Sequence, residues 1–401
     1  FIAEGLDQTR GWFYTLTVLA TALYDQPAFR NVVVNGMVMA EDGKKMSKRL
    51  RNYTAPDELM ELYGADALRL YLINSGLMKG EEQRFSDAGV REMTRRALLP
   101  WYNAFSFLTT YAEIDNWSPD HGFDVGENVL DRWILSRMQT LKKKVSSEME
   151  AYRLYNVVPQ LFRFIEDLTN WYIRLNRARF WGEGITLDKN AAYATLYRAL
   201  FDLSKVMAPF TPFLSDYIYL ELGNLARKPM NPESVHLCDY PESEAALVRT
   251  ELEESVSFMQ RVILLGRQKR EEAKIGLRTP LRTITLITRK KSLLDDLREL
   301  EDYIKVELNV LDVDYDTDEA RYIRAVARPN FPVLGKRLGP RMKAFQARIK
   351  KLTVEEIDNF QLNQSIVIEG EAFTTEEILI SQQALADSNA LSDGQIAIDL
   401  D

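Results

Sequence analysis

Among 401 residues there is a single cysteine, Cys238, and only two histidines, His121 and His236. One thiol cannot build a disulfide framework or a cysteine-cluster zinc site, and it suits a reducing compartment such as the cytoplasm. No run of about eighteen uncharged apolar residues occurs, so no membrane-spanning segment is expected. Internal repeats and low-complexity tracts are also missing. The chain opens Phe1-Ile2-Ala3 without an initiator methionine or a leader-like basic stretch, and these residues read as the interior of a longer polypeptide.

What is present is apolar residue in quantity, 46% of the chain, enough for more than one core over this length. The net charge of -8 conceals a division. Arg321 to Lys351 holds ten Lys or Arg and no acid, whereas Leu352 to Asp401 holds eleven Asp or Glu and no base. Such a block is either a footprint for a polyanion or a basic face neutralised by the acidic segment folded against it.

Along the chain, Phe1 to Ala3 reads as a short strand ending at Gly5. Asp7 is placed as a helix N-cap, and Trp12, Leu16, Leu19 and Leu23 recur at helical spacing. Val32 to Met39 is a β-branched run interrupted at Asn35-Gly36, and it leads through Glu41-Asp42-Gly43 into "GKKMSKRLRNY", residues 43 to 53. Ligands of open α/β sheets sit beyond the carboxyl ends of strands, which makes the Gly5 turn and this cationic loop a candidate site. Pro56, Asp57 and Glu58 start a helix, and Gly64 breaks it before another. From Glu127 a long succession of amphipathic helices predicts a bundle. Beyond Gly276, strand-like alternation returns in "LRTPLRTITLIT" and "KVELNVLDVDY", around a helical "SLLDDLRELEDY".

Five cations without an acid on a loop at a strand end suit a polyphosphate whose charge shifts during reaction. A solvated charge run has the same composition, and residue order separates the two. "KMSKR" (residues 45 to 49) resembles the KMSKS signature of class I aminoacyl-tRNA synthetases, and "EGLDQTRGWF" (4 to 13) resembles a segment of their isoleucyl branch. The likeness continues through "GADALRLYLINS", "NWYIRLNRARFWG", "MAPFTPF" and "RPNFPVLGKRLG". It implies a multidomain chain with four parts. Residues 1–52 would be the second half of a Rossmann-type α/β catalytic domain, 53–125 a helical stem-contact region, 126–275 a helical anticodon-binding domain, and 276–401 a small α+β domain.

The resemblance assigns roles residue by residue. Lys48 and Lys45 would bind ATP phosphates and stabilise departing pyrophosphate, with Ser47 and Gly36 in the ATP site. Glu4, Gly5, Asp7 and Gln8 would line the aminoacyl-adenylate site, and Trp12 would pack on the isoleucine side chain. Without the motif, Trp12 reads as a core aromatic. In the bundle, Trp171, Arg174, Arg177 and Arg179 would contact tRNA, by stacking and phosphate contact. The alternative is a helix whose aromatics are core and whose arginines pair with acids such as Glu166 and Asp167. The basic block would then be a further tRNA contact or a domain interface. Implied partners are tRNA-Ile, isoleucine and ATP with Mg²⁺ as substrate, in the cytoplasm, with other synthetases in a complex if the source is eukaryotic. No prosthetic group or zinc is implied.

Arg49 stands where the general signature has serine, a variant associated with eukaryotic-like isoleucyl enzymes. The His-x-Gly-His motif of the family is absent, since neither His121 nor His236 fits it. The expectation is therefore a fragment of an isoleucine-specific ligase without that half and without the editing insertion, inactive alone. The rival expectations are a non-catalytic tRNA-binding module and a synthetase for valine or another aliphatic amino acid.

Overall fold

Gly5 and Asn35 lie opposite each other at the carboxyl ends of two parallel strands, β1 (Ile2–Gly5) and β2 (Val32–Asn35). A computed structural model describes residues 1–47, 49–119, 126–227, 230–385 and 388–400, so Lys48 and His121 lie outside the described residues. The chain divides into two units, Phe1–Arg249 and Thr250–Asp401.

In the first unit, α1 (Trp12–Tyr24) connects β1 and β2. Asp7 is not its cap: a 3-10 turn, Leu6–Arg10, intervenes, and Gln8 Oε1 accepts the Trp12 N–H at 3.0 Å. The turn carries Gln8 beneath an amide that the helix itself leaves free. The apolar stripe of α1 is also not packed as its spacing predicts, with Trp12, Leu19 and Leu23 at 51%, 52% and 69% exposure. Two parallel strands form too narrow a surface to cover it.

β3 (Val38–Met39) runs parallel to β4 (Gln83–Arg84), and the interruption at Asn35-Gly36 separates β2 from β3. Gly36 is required there because a Cβ would fall 1.7 Å from the Glu81 carbonyl oxygen. Next come α2 (Pro56–Tyr63), α3 (Ala65–Ile73), α4 (Asp87–Met93) and α5 (Leu99–Ile114), with Gly64 as the expected break. The bundle follows as α6 (Val129–Glu150), α7 (Val157–Glu166), α8 (Arg174–Trp181), α9 (Leu187–Met207) and α10 (Pro212–Leu225). Asn128 and Thr186 cap α6 and α9 through their side-chain oxygens. Trp133, Phe164, Tyr172, Phe180 and Tyr193 fill the interior. Asp66 on α3 accepts the Phe213 and Leu214 amides at 3.3 and 2.8 Å, and Arg69 donates to the Pro209 carbonyl at 3.0 Å, so α3 is fastened to the start of α10.

The second unit begins with α11 (Thr250–Glu272), which packs on its own unit's α12 (Lys291–Leu297) and α13 (Glu301–Leu308). β5 (Leu281–Ile287) and β6 (Val310–Asp316) pair in parallel. Lys305 to Leu308, read as strand from the sequence, is instead the last turn of α13. Ile304 and Leu308 fall on one buried face, Glu301 pairs with Lys305 one turn on, and Asn309 reverses the chain in the left-handed region at φ 50°.

β7 (Ile323–Pro329), α14 (Phe331–Leu338), α15 (Met342–Ile349), α16 (Val354–Asn363) and the hairpin β8 (Ser365–Ile368) and β9 (Glu371–Thr374) surround a core that includes Leu334, Phe345, Phe360 and Phe373. β10 (Ile378–Ala384) pairs antiparallel with β7. β11 (Leu391–Ser392) and β12 (Ala397–Leu400) complete a sheet in the order β11, β12, β5, β6. The acidic segment does fold against part of the basic block. Arg337 reaches Glu371 and Glu377, Arg341 reaches Glu371, and Arg348 reaches Glu356.

Candidate functional site

The cationic loop is built from turns. Asp42 Oδ1 accepts the Lys44 amide at 3.0 Å, and that bond with the adjacent Lys44 charge holds the exposed Asp42 carboxyl below the usual range. The Gly43 N–H donates to the Ala40 carbonyl and the Ala40 N–H to the Lys44 carbonyl, both at 2.8 Å, so the chain reverses within five residues. Gly43 sits at φ 78°, and the Arg84 guanidinium lies where a Cβ would project. An isolated bridge between Met39 and Lys45 closes this turn.

A second clamp holds the signature itself. The Asn52 carboxamide accepts the Ser47 N–H at 2.9 Å and donates to the Lys45 carbonyl at 3.2 Å. The Leu50 and Arg51 amides both return to the Ser47 carbonyl. Beyond the loop, Thr54 Oγ1 donates to Asp87 Oδ2 at 2.7 Å, pegging it to α4. Lys44, Lys45, Arg49 and Arg51 remain exposed on this framework. Sequence reasoning missed Asn52 and Arg84, the first because a neutral amide among cations carries no charge signal, the second because it comes from a strand 40 residues on.

At the strand ends, Glu4 and Gly5 are half-buried, Asp7 is exposed, and the Gln8 amide donates to Asp7 Oδ2 at 3.5 Å. Gln8 therefore touches both Asp7 and the start of α1. Trp12, immediately beyond, is half-exposed rather than core. Gly36, beside Asn35 and so near Gly5 in register, donates its N–H to the Leu77 carbonyl at 2.9 Å.

In the bundle the four aromatic and basic residues separate. Trp171 is buried, and Arg179 makes a bidentate pair with fully buried Asp131 at 2.8 Å while also reaching Asp188. Burial opposes the Arg179 charge, but the bonds to Asp131 and Asp188 outweigh it and raise its pKa. Burial, reinforced by the Asp131 charge, pushes the Tyr172 phenol upward, and that phenol donates to Asp131 Oδ1 at 2.7 Å. Arg174 and Arg177 instead lie at the surface. The segment Asp167–Ile173 between α7 and α8 is a π-helical insertion, which changes the helical phase just before these residues.

His236 is exposed, with Nε2 3.1 Å from the Pro212 carbonyl. Among the described residues no group of three or more His, Cys, Asp or Glu side chains is placed to hold a metal, and no helix is long and apolar enough to cross a membrane.

Comparison with known proteins places these features in context. The family model for tRNA synthetases class I (I, L, M and V) matches residues 1–84, and that for the anticodon-binding domain of tRNA ligase matches residues 131–285. The isoleucine-tRNA ligase of Bdellovibrio bacteriovorus is 46% identical over 396 residues, 99% of this chain and 37% of that protein. That of Chlamydia muridarum is 45% identical over 96% of this chain and 37% of its own length. The cytoplasmic isoleucine-tRNA ligase of Mus musculus is 44% identical over 100% of this chain and 33% of its own. The chain thus spans well under half the length of these relatives.

Proposed function

The chain belongs to the isoleucine-tRNA ligase family, and from that premise we propose that it carries the pyrophosphate-stabilising loop and the tRNA-binding bundle of such an enzyme. The reaction proposed joins isoleucine to ATP, releasing pyrophosphate, and then transfers the aminoacyl group from the adenylate to tRNA. The observation that carries this reading is the Asn52-clamped loop, on which Lys44, Lys45, Arg49 and Arg51 stay exposed while their backbone is fixed.

Fixed cations matter because the charge leaving with pyrophosphate grows during the step, and groups already in place pay no reorganisation cost at that moment. Lys45 and Lys48 would meet the phosphates of Mg²⁺-bound ATP, with Ser47 contributing its hydroxyl. Glu4, Gly5, Asp7 and Gln8, at the carboxyl ends of paired strands, would line the adenylate site, and half-exposed Trp12 would offer its ring to the aliphatic side chain. Arg174 and Arg177 would meet tRNA phosphates, whereas Trp171 and Arg179 would hold the helix that presents them.

Isoleucine-dependent exchange of pyrophosphate into ATP tests the reading. Measured on a polypeptide of the relatives' full length, Lys45→Ala should lower exchange about 100-fold, the order expected for one charge-stabilising group. The 401-residue chain alone should show no exchange. Undiminished exchange in the Lys45→Ala protein would overturn the role given to the loop.

A further inference from the structure

Seven of the ten cations of the basic block fall into two groups in the second unit. Arg337, Arg341 and Arg348 are paired to the acidic segment, and Arg321 to Asp316. Arg324, Arg328 and Lys350 make no ion pair among the described residues, and all three line one groove of about 620 Å³ that runs along β7. No acidic side chain lines it. Its remaining wall includes Phe331, Leu352 and Val354.

β7 has one open edge at this groove. Its only strand neighbour among the described residues is β10. The Asn330 N–H donates to the Glu377 carbonyl and the Leu385 N–H to the Tyr322 carbonyl, which continues the β7–β10 register at both ends. The even-numbered residues are therefore the hydrogen-bonded positions of the pair, and the main-chain groups of Ala325 and Ala327 point away from β10. Outside the β7–β10 ladder, no main-chain hydrogen bond of either alanine is found among the described residues. Ala327 is only 3% exposed, so water reaches its main-chain groups poorly, and Ala325 is half-buried. Buried main-chain donors and acceptors without partners are uncommon in folded proteins.

We propose that this groove binds an extended acidic peptide segment, which adds to the edge of β7 as a strand. A strand supplies what the alanines lack, carbonyls for their N–H groups and N–H groups for their carbonyls in alternation. A polynucleotide supplies mainly acceptors. Alternate residues of the added strand would project on the side of Arg324 and Arg328, which stand four residues and about 13 Å apart, and carboxylates there would be matched. The intervening residues would meet Leu352 and Val354, and suit small apolar side chains. Pro329 has no N–H, so the ladder ends there and a segment of roughly five residues fills it. The inference does not depend on the ligase activity proposed above.

The test uses the whole chain and a fluorescein-labelled heptapeptide alternating Glu and Val, with its Lys/Val counterpart and a seven-nucleotide oligouridylate as competitors. Fluorescence anisotropy should show saturable binding of the Glu/Val peptide, competed by neither. Arg324→Glu with Arg328→Glu should weaken it by about tenfold or more. Ala325→Pro, which removes a donor on the open edge without touching the β10 ladder, should weaken it similarly. Hydrogen exchange of the Ala325 and Ala327 amides should slow on peptide addition, a readout independent of the variants' folding. Equal affinity for the Lys/Val peptide, displacement by oligouridylate, or unchanged exchange at both alanines would each overturn the proposal.

Discussion

The Asn52 carboxamide links the carbonyl of Lys45 to the amide of Ser47, so one neutral side chain fixes the backbone from which the cations project. Asn52→Ala removes both bonds and leaves every charge in place. In the full-length polypeptide this should reduce pyrophosphate exchange by about 10-fold or more, since misplaced catalytic groups lose rate steeply, while circular dichroism stays unchanged. Glu148 offers a different test. Hydrogen bonds from Arg153, Asn156 and Lys144 hold its carboxyl down at about 2. A depressed carboxyl stabilises the fold above its unfolded pKa, near 4.5, and that contribution is lost as pH falls toward 2. Glu148→Gln should therefore lower the melting temperature at pH 6 and flatten its decline between pH 4.5 and 2, as thermal melts would reveal.

At the scale of elements, periodicity and punctuation made much of the chain legible. The strand break at Asn35-Gly36, the helix stop at Gly64 and the run of bundle helices follow from local residue chemistry. Lys305 to Leu308 misled because Val and Leu alternate there as in a strand, while the burial of Ile304 with Leu308 is a tertiary fact. Asp7 misled because a short acid before an apolar run looks like a cap, and nothing in the sequence announces a 3-10 turn that promotes Gln8. Arg179 and Arg174 read alike as letters on α8, but Arg179 turns inward to buried Asp131 and to Asp188 while Arg174 lies at the surface. Asp131→Ala should cost about 3–5 kcal/mol of stability, because it leaves Arg179 and Tyr172 facing an empty interior position. Arg174→Ala and Arg177→Ala should leave the melt within about 0.5 kcal/mol and weaken tRNA retention on filters, with a shallower salt dependence.

For the whole molecule, the units Phe1–Arg249 and Thr250–Asp401 each enclose buried clusters of their own, so calorimetry should resolve more than one transition. Phe360, 1% exposed in the second unit, provides the control. Phe360→Ala should cost about 3–5 kcal/mol and lower one transition only. Within the first unit, the two bonds that the Phe213 and Leu214 amides donate to Asp66 join the loop-bearing portion to the bundle. The bundle is long, since α6 alone has 22 residues and extends about 33 Å. Fastened at Asp66, the loop-bearing portion and the bundle would act as a gauge: a ligand held by both the loop and the Arg174 surface, as proposed for tRNA, would have to bridge the set separation between them in one piece. Molecules would then be sorted by length before any of their bases is read.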